Sequence, residues 1–299
     1  MSRLDTVSNK AIAFMQCQLL YVSESQHSQV DMLQALIEQH RLPIILNAEL
    51  SVDKLTQKRR QQLSHSATQP ILLLDNKDKL SWLSDGLSVT PEWDKLQRRV
   101  VSAGRKSELL LQAAKITSDS NVIDATAGFG HDSLILGSTG AQVTMLEQQP
   151  LMALLLLVEQ QRMSALPNWQ KLMSRLQIVN IDALSYFEML KAEPMTSDSK
   201  VIDVVYLDPM FPEDSYQDSK TGKGAKVGKH MQALHQLASP PTVEEECQLL
   251  KSAQSIVSQS TQHSGRVVVK RPQQAPFLAS QQPSESWHNE AVRFDGYFA

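Results

Sequence analysis

From Asn121 onward the chain alternates short runs of Val, Ile and Leu with longer segments whose apolar residues recur at helical spacing. Asn121–Ala125, Ala141–Leu146, Leu176–Asn180, Val201–Leu207, Arg266–Lys270 and Ala291–Phe298 read as strands. Between them, Glu108–Ile116, a segment through Leu136, Pro150–Met163, Ala183–Leu190 and about Val243–Ser258 read as helices, with Pro150 suited to a first turn. Strands without polar alternation, separated by helices, predict a mostly parallel sheet covered on both faces. Ser252–Ser264 and Ala279–Ser286 are Ser/Gln-rich and read as a helix end and a surface loop.

Before about residue 100 the pattern differs. Pro43–Leu46, Ile71–Leu74 and Leu80–Leu83 suggest buried strands, Asp75–Asp78 a turn, and Asp31–Gln39 a helix with Met32, Leu33, Leu36 and Ile37 on one face. We therefore expect a small α/β accessory domain over residues 1–98 and a larger α/β domain over 99–299.

Composition narrows the function classes. The 299 residues include 41% hydrophobic and 20% charged residues, which is enough apolar material for a sizeable core. The 29 Lys and Arg against 32 Asp and Glu give a net charge of −3, which excludes a globally basic nucleic-acid coat but not a local basic patch. The two cysteines, Cys17 and Cys247, are far apart and fit neither a disulfide scaffold nor a zinc module, so a reducing cytoplasm is expected. The histidines His27, His40, His65, His230, His235, His263 and His288 are scattered, and no metal is expected. The longest apolar run, Leu151–Val158, is too short to span a bilayer.

The chemistry lies at the strand ends. The first strand of the larger domain leads into Asp124-Ala-Thr-Ala-Gly128-Phe-Gly130-His131-Asp132. In open parallel sheets ligands bind beyond the carboxyl ends of the strands, and glycines there admit a close backbone approach. The second strand ends in Glu147, whose carboxylate suits the two hydroxyls of an adenosine ribose. Asp182 follows the third strand and Asp208 ends the fourth. Four successive strands thus put a carboxylate on one rim. A dinucleotide fold, and with it a nicotinamide oxidoreductase, would want a third glycine where Ser133 stands.

The fourth strand runs into Asp208-Pro209-Met210-Phe211-Pro212. Proline fixes the backbone and turns carbonyls into the site, Asp208 can accept from an exocyclic amine, and Phe211 can stack on the base that carries it. Such an amine is a weak nucleophile, so alignment and electrostatics must supply most of the catalysis. The loop beyond it carries Lys220, Lys223, Lys226 and Lys229 among glycines and suits phosphate contacts. Arg98-Arg99 with Arg105-Lys106 forms a second basic cluster, and Lys58-Arg59-Arg60 a third, read as a helix face. Lys270-Arg271-Pro272 ends a strand on the same rim and either meets substrate or neutralises the carboxylates.

Together, Asp124–Asp132, Leu146-Glu147, Val205–Pro212 and Arg266–Pro272 closely resemble the ribosomal small subunit methyltransferase J family, from about Arg98 to the C-terminus. The resemblance implies a Rossmann-like class I methyltransferase domain that uses S-adenosylmethionine. It also implies methylation of a guanine 2-amino group in 16S ribosomal RNA, with that RNA or the small ribosomal subunit as partner. The implied cofactor site takes in His131, Asp132, Glu147, Gln148, Asp182, Ala183 and Asp208, beside Asp124, Gly128 and Gly130. Where relatives usually carry Arg-Asp and Glu-Arg, this chain has His131-Asp132 and Glu147-Gln148; both swaps remove a fixed positive charge. Two rivals remain: an adenine amine methyltransferase on DNA or RNA, and a silent RNA-binding assembly factor.

Overall fold

The computed structural model describes residues 13–51, 55–104, 106–192, 200–211, 233, 235–257 and 265–298. The chain divides into two compact units, Met1–Ser88 and Val89–Ala299. The division falls before the expected position near residue 98, because Trp93 buries its whole side chain within the second unit.

In the first unit, β1 (Met15–Tyr21) is central. It pairs in parallel with β2 (Ile44–Leu50) and β3 (Ile71–Leu74), and β4 (Leu80–Ser84) returns antiparallel to β3 before β5 (Leu87–Val89). The order among the described residues is β2-β1-β3-β4-β5. Two helices accompany this sheet, α1 (His27–Gln39) and α2 (Gln57–Ser66). Lys58, Arg59 and Arg60 lie on α2, as expected. β1 was not among the expected strands, although Cys17, Leu19 and Tyr21 point to one side at strand spacing and are buried.

The second unit contains α3 (Gln97–Ser102), α4 (Leu109–Ala114), β6 (Asn121–Asp124), α5 (His131–Ser138), β7 (Gln142–Leu146), α6 (Pro150–Ser164) and α7 (Gln170–Met173). It continues with β8 (Leu176–Val179), α8 (Ala183–Ala192), β9 (Val204–Leu207), α9 (Val243–Val257), β10 (Arg266–Pro272), β11 (Glu285–His288) and β12 (Val292–Phe298). Among the described residues the sheet has seven strands in the order β11-β12-β10-β9-β6-β7-β8. Pairing is parallel from β8 through β10 and antiparallel for β12 with β10 and β11. β11 corrects the loop expected over Ala279–Ser286: Glu285–His288 is an exposed edge strand whose one large apolar side chain is Trp287.

Burial follows the continuous apolar runs. Ile123, Val205, Leu207, Val267 and Val269 join Phe187 of α8 and Leu250, Ala253, Ile256 and Val257 of α9 in one core cluster. The alternate positions Val122, Val204, Tyr206 and Val268 are buried as well, so the sheet is covered on both faces. After β8 the chain crosses back to place β9 on the far side of β6. Strand order reverses there, and a crevice opens beyond the strand ends at such a switch point.

Candidate active site

A cavity of about 630 Å³ sits at that switch point. Asp124, Glu147, Asp182 and Asp208, from the ends of four successive strands, all line it. So do Gly128, His131, Asp132, Gln148, Ala183, Pro209 and Phe211. Gly130 does not line it; its role is to turn the chain. It holds φ +72° at the start of α5, and a Cβ there would lie 2.7 Å from Met145 Cε and 2.9 Å from Trp93 Cζ2. The lysines of the expected basic loop, with Pro212 and Arg105, lie outside the described residues. Arg99 is committed to a two-point pair with Glu108 at 2.8 and 2.9 Å.

The glycine turn is braced from both sides. Gly128 N–H donates to Glu147 Oε2 at 3.1 Å, and Gln149 N–H donates to Oε1 at 2.7 Å. Each Glu147 oxygen keeps a further lone pair. Burial pushes the Glu147 carboxyl up to about 7, with the two backbone donors pulling the other way. Burial also raises Asp124 to about 7, against hydrogen bonds from Ser133 Oγ and Thr126 N–H. From the other side, Trp93 Nε1 donates to Phe129 O at 2.7 Å and His131 Nε2 bonds Pro91 O at 2.7 Å. Asp182 is exposed and caps α8, accepting from Ser185 N–H at 2.9 Å.

Thr126, which the sequence did not single out, completes the floor together with Lys270 and Tyr206. Thr126 Oγ1 accepts from Asp208 N–H at 2.6 Å, which fixes the backbone where β9 ends. Lys270 Nζ donates to Asp132 Oδ2 at 2.8 Å and to Asp208 Oδ2 at 2.9 Å. Tyr206 Oη donates to the same Asp132 oxygen at 2.7 Å. Burial acts against the charged form of Asp132, but Lys270, Tyr206 and Arg99 outweigh it and hold its pKa below the ordinary value. At Asp208 burial wins and raises the pKa, with Lys270 opposing and Asp132 adding to the rise. Of the two alternatives for Lys270, neutralising the carboxylates is therefore what the described side chains do. Phe211 is buried, with the Arg271 guanidinium stacked 4.4 Å from its ring centre. Arg271 in turn donates to Glu246 Oε1 at 2.7 Å.

The arrangement has the donors and acceptors for a nucleoside joined to an amino acid. Glu147 offers lone pairs for vicinal hydroxyls, the glycine turn admits a close backbone approach, and carboxylates stand ready for an ammonium. A family model described as "Putative SAM-dependent methyltransferase" matches residues 49–299. Proteins called Ribosomal RNA small subunit methyltransferase J match over nearly the whole chain. That of Psychrobacter cryohalolentis is 79% identical over 94% of this chain and 95% of its own length. That of Psychrobacter arcticus is 76% identical over 96% and 97%. The chain belongs to this methyltransferase J family. Across genera the likeness persists: the Acinetobacter baylyi member is 40% identical over 73% of this chain and 77% of its own. A solved SAM-dependent methyltransferase from Neisseria gonorrhoeae superposes with a TM-score of 0.62, at 24% identity and over 94% and 95% of the two chains. Family members of this kind are S-adenosylmethionine-dependent methyltransferases, and the fold is the Rossmann-like one expected. Among the described residues no group of three or more His, Cys, Asp or Glu is placed to hold a metal ion, and no helix is long and apolar enough to cross a membrane.

Proposed function

We propose that this methyltransferase acts on the exocyclic 2-amino group of a guanosine in 16S ribosomal RNA, free or within the small ribosomal subunit, in the cytoplasm. The observation that carries the reading is the Asp208–Phe211 segment opening into the same cavity as Glu147 and the glycine turn. The names of the close relatives support the ribosomal RNA substrate.

In this reading Gly128, His131, Asp132, Glu147, Gln148, Asp182 and Ala183 hold the cofactor, with Asp124 bracing the turn and Gly130 shaping it. Bound S-adenosylmethionine supplies a methyl group on a sulfonium that leaves without an acid. Asp208 accepts from the acceptor amine and offsets the positive charge that develops on its nitrogen. The excess proton on that nitrogen passes to Asp208 or to solvent. Pro209 fixes the turn that aims the segment. Phe211 lines the cavity with Arg271 against its ring, and we assign it to stacking on the base.

The test is mass mapping of methylated ribosomal RNA from cells with and without the protein, alongside methyl incorporation into purified small subunits, DNA and nucleosides. Loss of one N2-methylguanosine from 16S RNA is expected. Methylation of an adenine amine, or no incorporation at all, would replace the reading with one of its rivals.

Glu147 makes a separate prediction. If its carboxylate receives the ribose hydroxyls, Glu147→Ala weakens cofactor binding by about 1.5–3 kcal/mol, the scale for hydrogen bonds to a charged group. The hydroxyls donate to the ionised form, and the free carboxyl titrates at about 7. Cofactor affinity is therefore full above that pH and falls as pH drops through it. Asp124 titrates in the same range, so the difference between wild type and Glu147→Ala isolates the Glu147 share. Calorimetry giving the same pH dependence for both proteins would remove Glu147 from the ribose site.

A further inference from the structure

The floor of the cavity holds one cation between two carboxylates. Lys270 Nζ lies 2.8 Å from Asp132 Oδ2 and 2.9 Å from Asp208 Oδ2. Tyr206 Oη ties down Asp132 from the other direction. Asp208 is thereby held at two points: its N–H on Thr126 Oγ1 and its Oδ2 on Lys270. No hydrogen bond is made to its Oδ1 from a described residue, and Asp208 lines the cavity. We propose that Lys270 is a positioning residue for methyl transfer, clamping Asp208 Oδ2 so that Oδ1 is the oxygen presented to the acceptor amine. The proposal rests on the assignment of Asp208 to the amine.

The same contact favours the charged form of Asp208 against the burial that raises its pKa. The titratable and charged groups around the Asp132–Lys270–Asp208 cluster are Asp124 at the end of β6, His131 on α5, Tyr206 on β9, Arg99 on α3 and Arg271 on β10. Arg99 is paired with Glu108, and Arg271 with Glu246 of α9. Neither arginine can therefore take Lys270's place. Two carboxylates sharing a buried site without a cation cannot both ionise near neutrality. The division of labour is asymmetric, because Asp132 also has the tyrosine hydroxyl. Removal of the ammonium consequently falls on Asp208, whose carboxyl burial already pushes up.

The test compares Lys270→Met, Lys270→Arg and Asp132→Asn with wild type by two measurements. Carboxyl ¹³C NMR titration of the cofactor-free protein needs no substrate. Single-turnover methyl transfer to small-subunit RNA at saturating cofactor gives the acidic limb of the rate profile. In Lys270→Met the Asp208 midpoint and the acidic limb should both move up by about one pH unit or more. The rate near neutrality should fall at least tenfold and recover as pH rises. Lys270→Arg keeps the charge and should restore most of the position of the limb. Asp132→Asn removes the competing carboxylate and should move both midpoints down. A loss of rate that is uniform in pH, or an Asp208 midpoint that moves while the rate profile stays, would overturn the proposal. Should Lys270→Met fail to fold, the near-wild-type limb expected of Lys270→Arg and the downward shift expected of Asp132→Asn still decide it. Failure of wild type to methylate the RNA would count against the substrate reading instead, and the NMR titration would still report on the clamp.

Discussion

Asp208→Asn is expected to lower the single-turnover rate of methyl transfer by about a hundredfold or more, the scale for losing one preorganised electrostatic partner. The reason is specific to the clamp. Lys270 donates to one side-chain oxygen of this residue, so an asparagine will give Lys270 its only oxygen and turn its amide NH₂ toward the acceptor. That donor faces the hydrogens of the amine, and the charge developing on nitrogen loses its counter-charge. Cofactor affinity should fall much less, because Glu147 and the glycine turn are unchanged. Single-turnover assays at saturating cofactor are the measurement. Near-normal transfer by Asp208→Asn would mean that the amine is oriented elsewhere.

A second large effect is expected far from the reacting atoms. Trp93→Ala should destabilise the protein by about 3–5 kcal/mol, the range for deleting a buried aromatic ring. The ring is completely buried, touches the space beside Gly130, and donates its indole N–H to Phe129 O inside the glycine turn. Its removal leaves a cavity behind the turn and takes away the indole donor to Phe129 O. For a unit of this size each kcal/mol shifts the melting temperature by about 2–4 °C, so a drop on the order of 10 °C is anticipated. Cofactor binding should weaken at temperatures where the protein is still folded. Trp93→Phe separates packing from the hydrogen bond by keeping a ring without the N–H. A melting curve that hardly moves in Trp93→Ala, with calorimetric affinity intact, would show that the turn stands without this brace.

What the sequence made legible follows from where the signals are local. The strands from β6 to β10 centre on apolar runs such as Val122-Ile123, Val204–Leu207 and Val267–Val269, buried on both faces of the sheet, and they were placed within a few residues. The glycine turn and the four strand-end carboxylates were legible for the same reason: each sits beside a recognisable strand, and all four carboxylates line one cavity. β11 was not legible, since Glu285–His288 is an exposed edge whose pairing with β12 comes from backbone rather than from apolar side chains. β1 carried a usable signal at Cys17, Leu19 and Tyr21, but Gln16 and Gln18 broke the apolar run that marked other strands. The rim carboxylates were one of two alternatives for Lys270, but which of them it meets, and the partner of Trp93, were beyond reach because the contacts are long-range: Lys270 meets Asp132 across 138 positions and Trp93 meets Phe129 across 36. No local spacing encodes such a meeting; it follows from the strand order.

That strand order also has a consequence for how the chain is made. β6 pairs with β7 soon after both are synthesised, but its other neighbour, β9, is encoded about 80 residues further on, with Val122 meeting Val204. At translation rates of about 5–20 residues per second, the nascent chain waits on the order of 4–16 s with one edge of its central strand unpaired. During that interval α6, whose residues from Leu151 to Val158 are all buried in the finished protein, can be covered only by elements that precede β9 in the chain. The half-sheet emerging first is therefore the species that chaperones would meet, and slowing translation just before Val204 would lengthen its exposure.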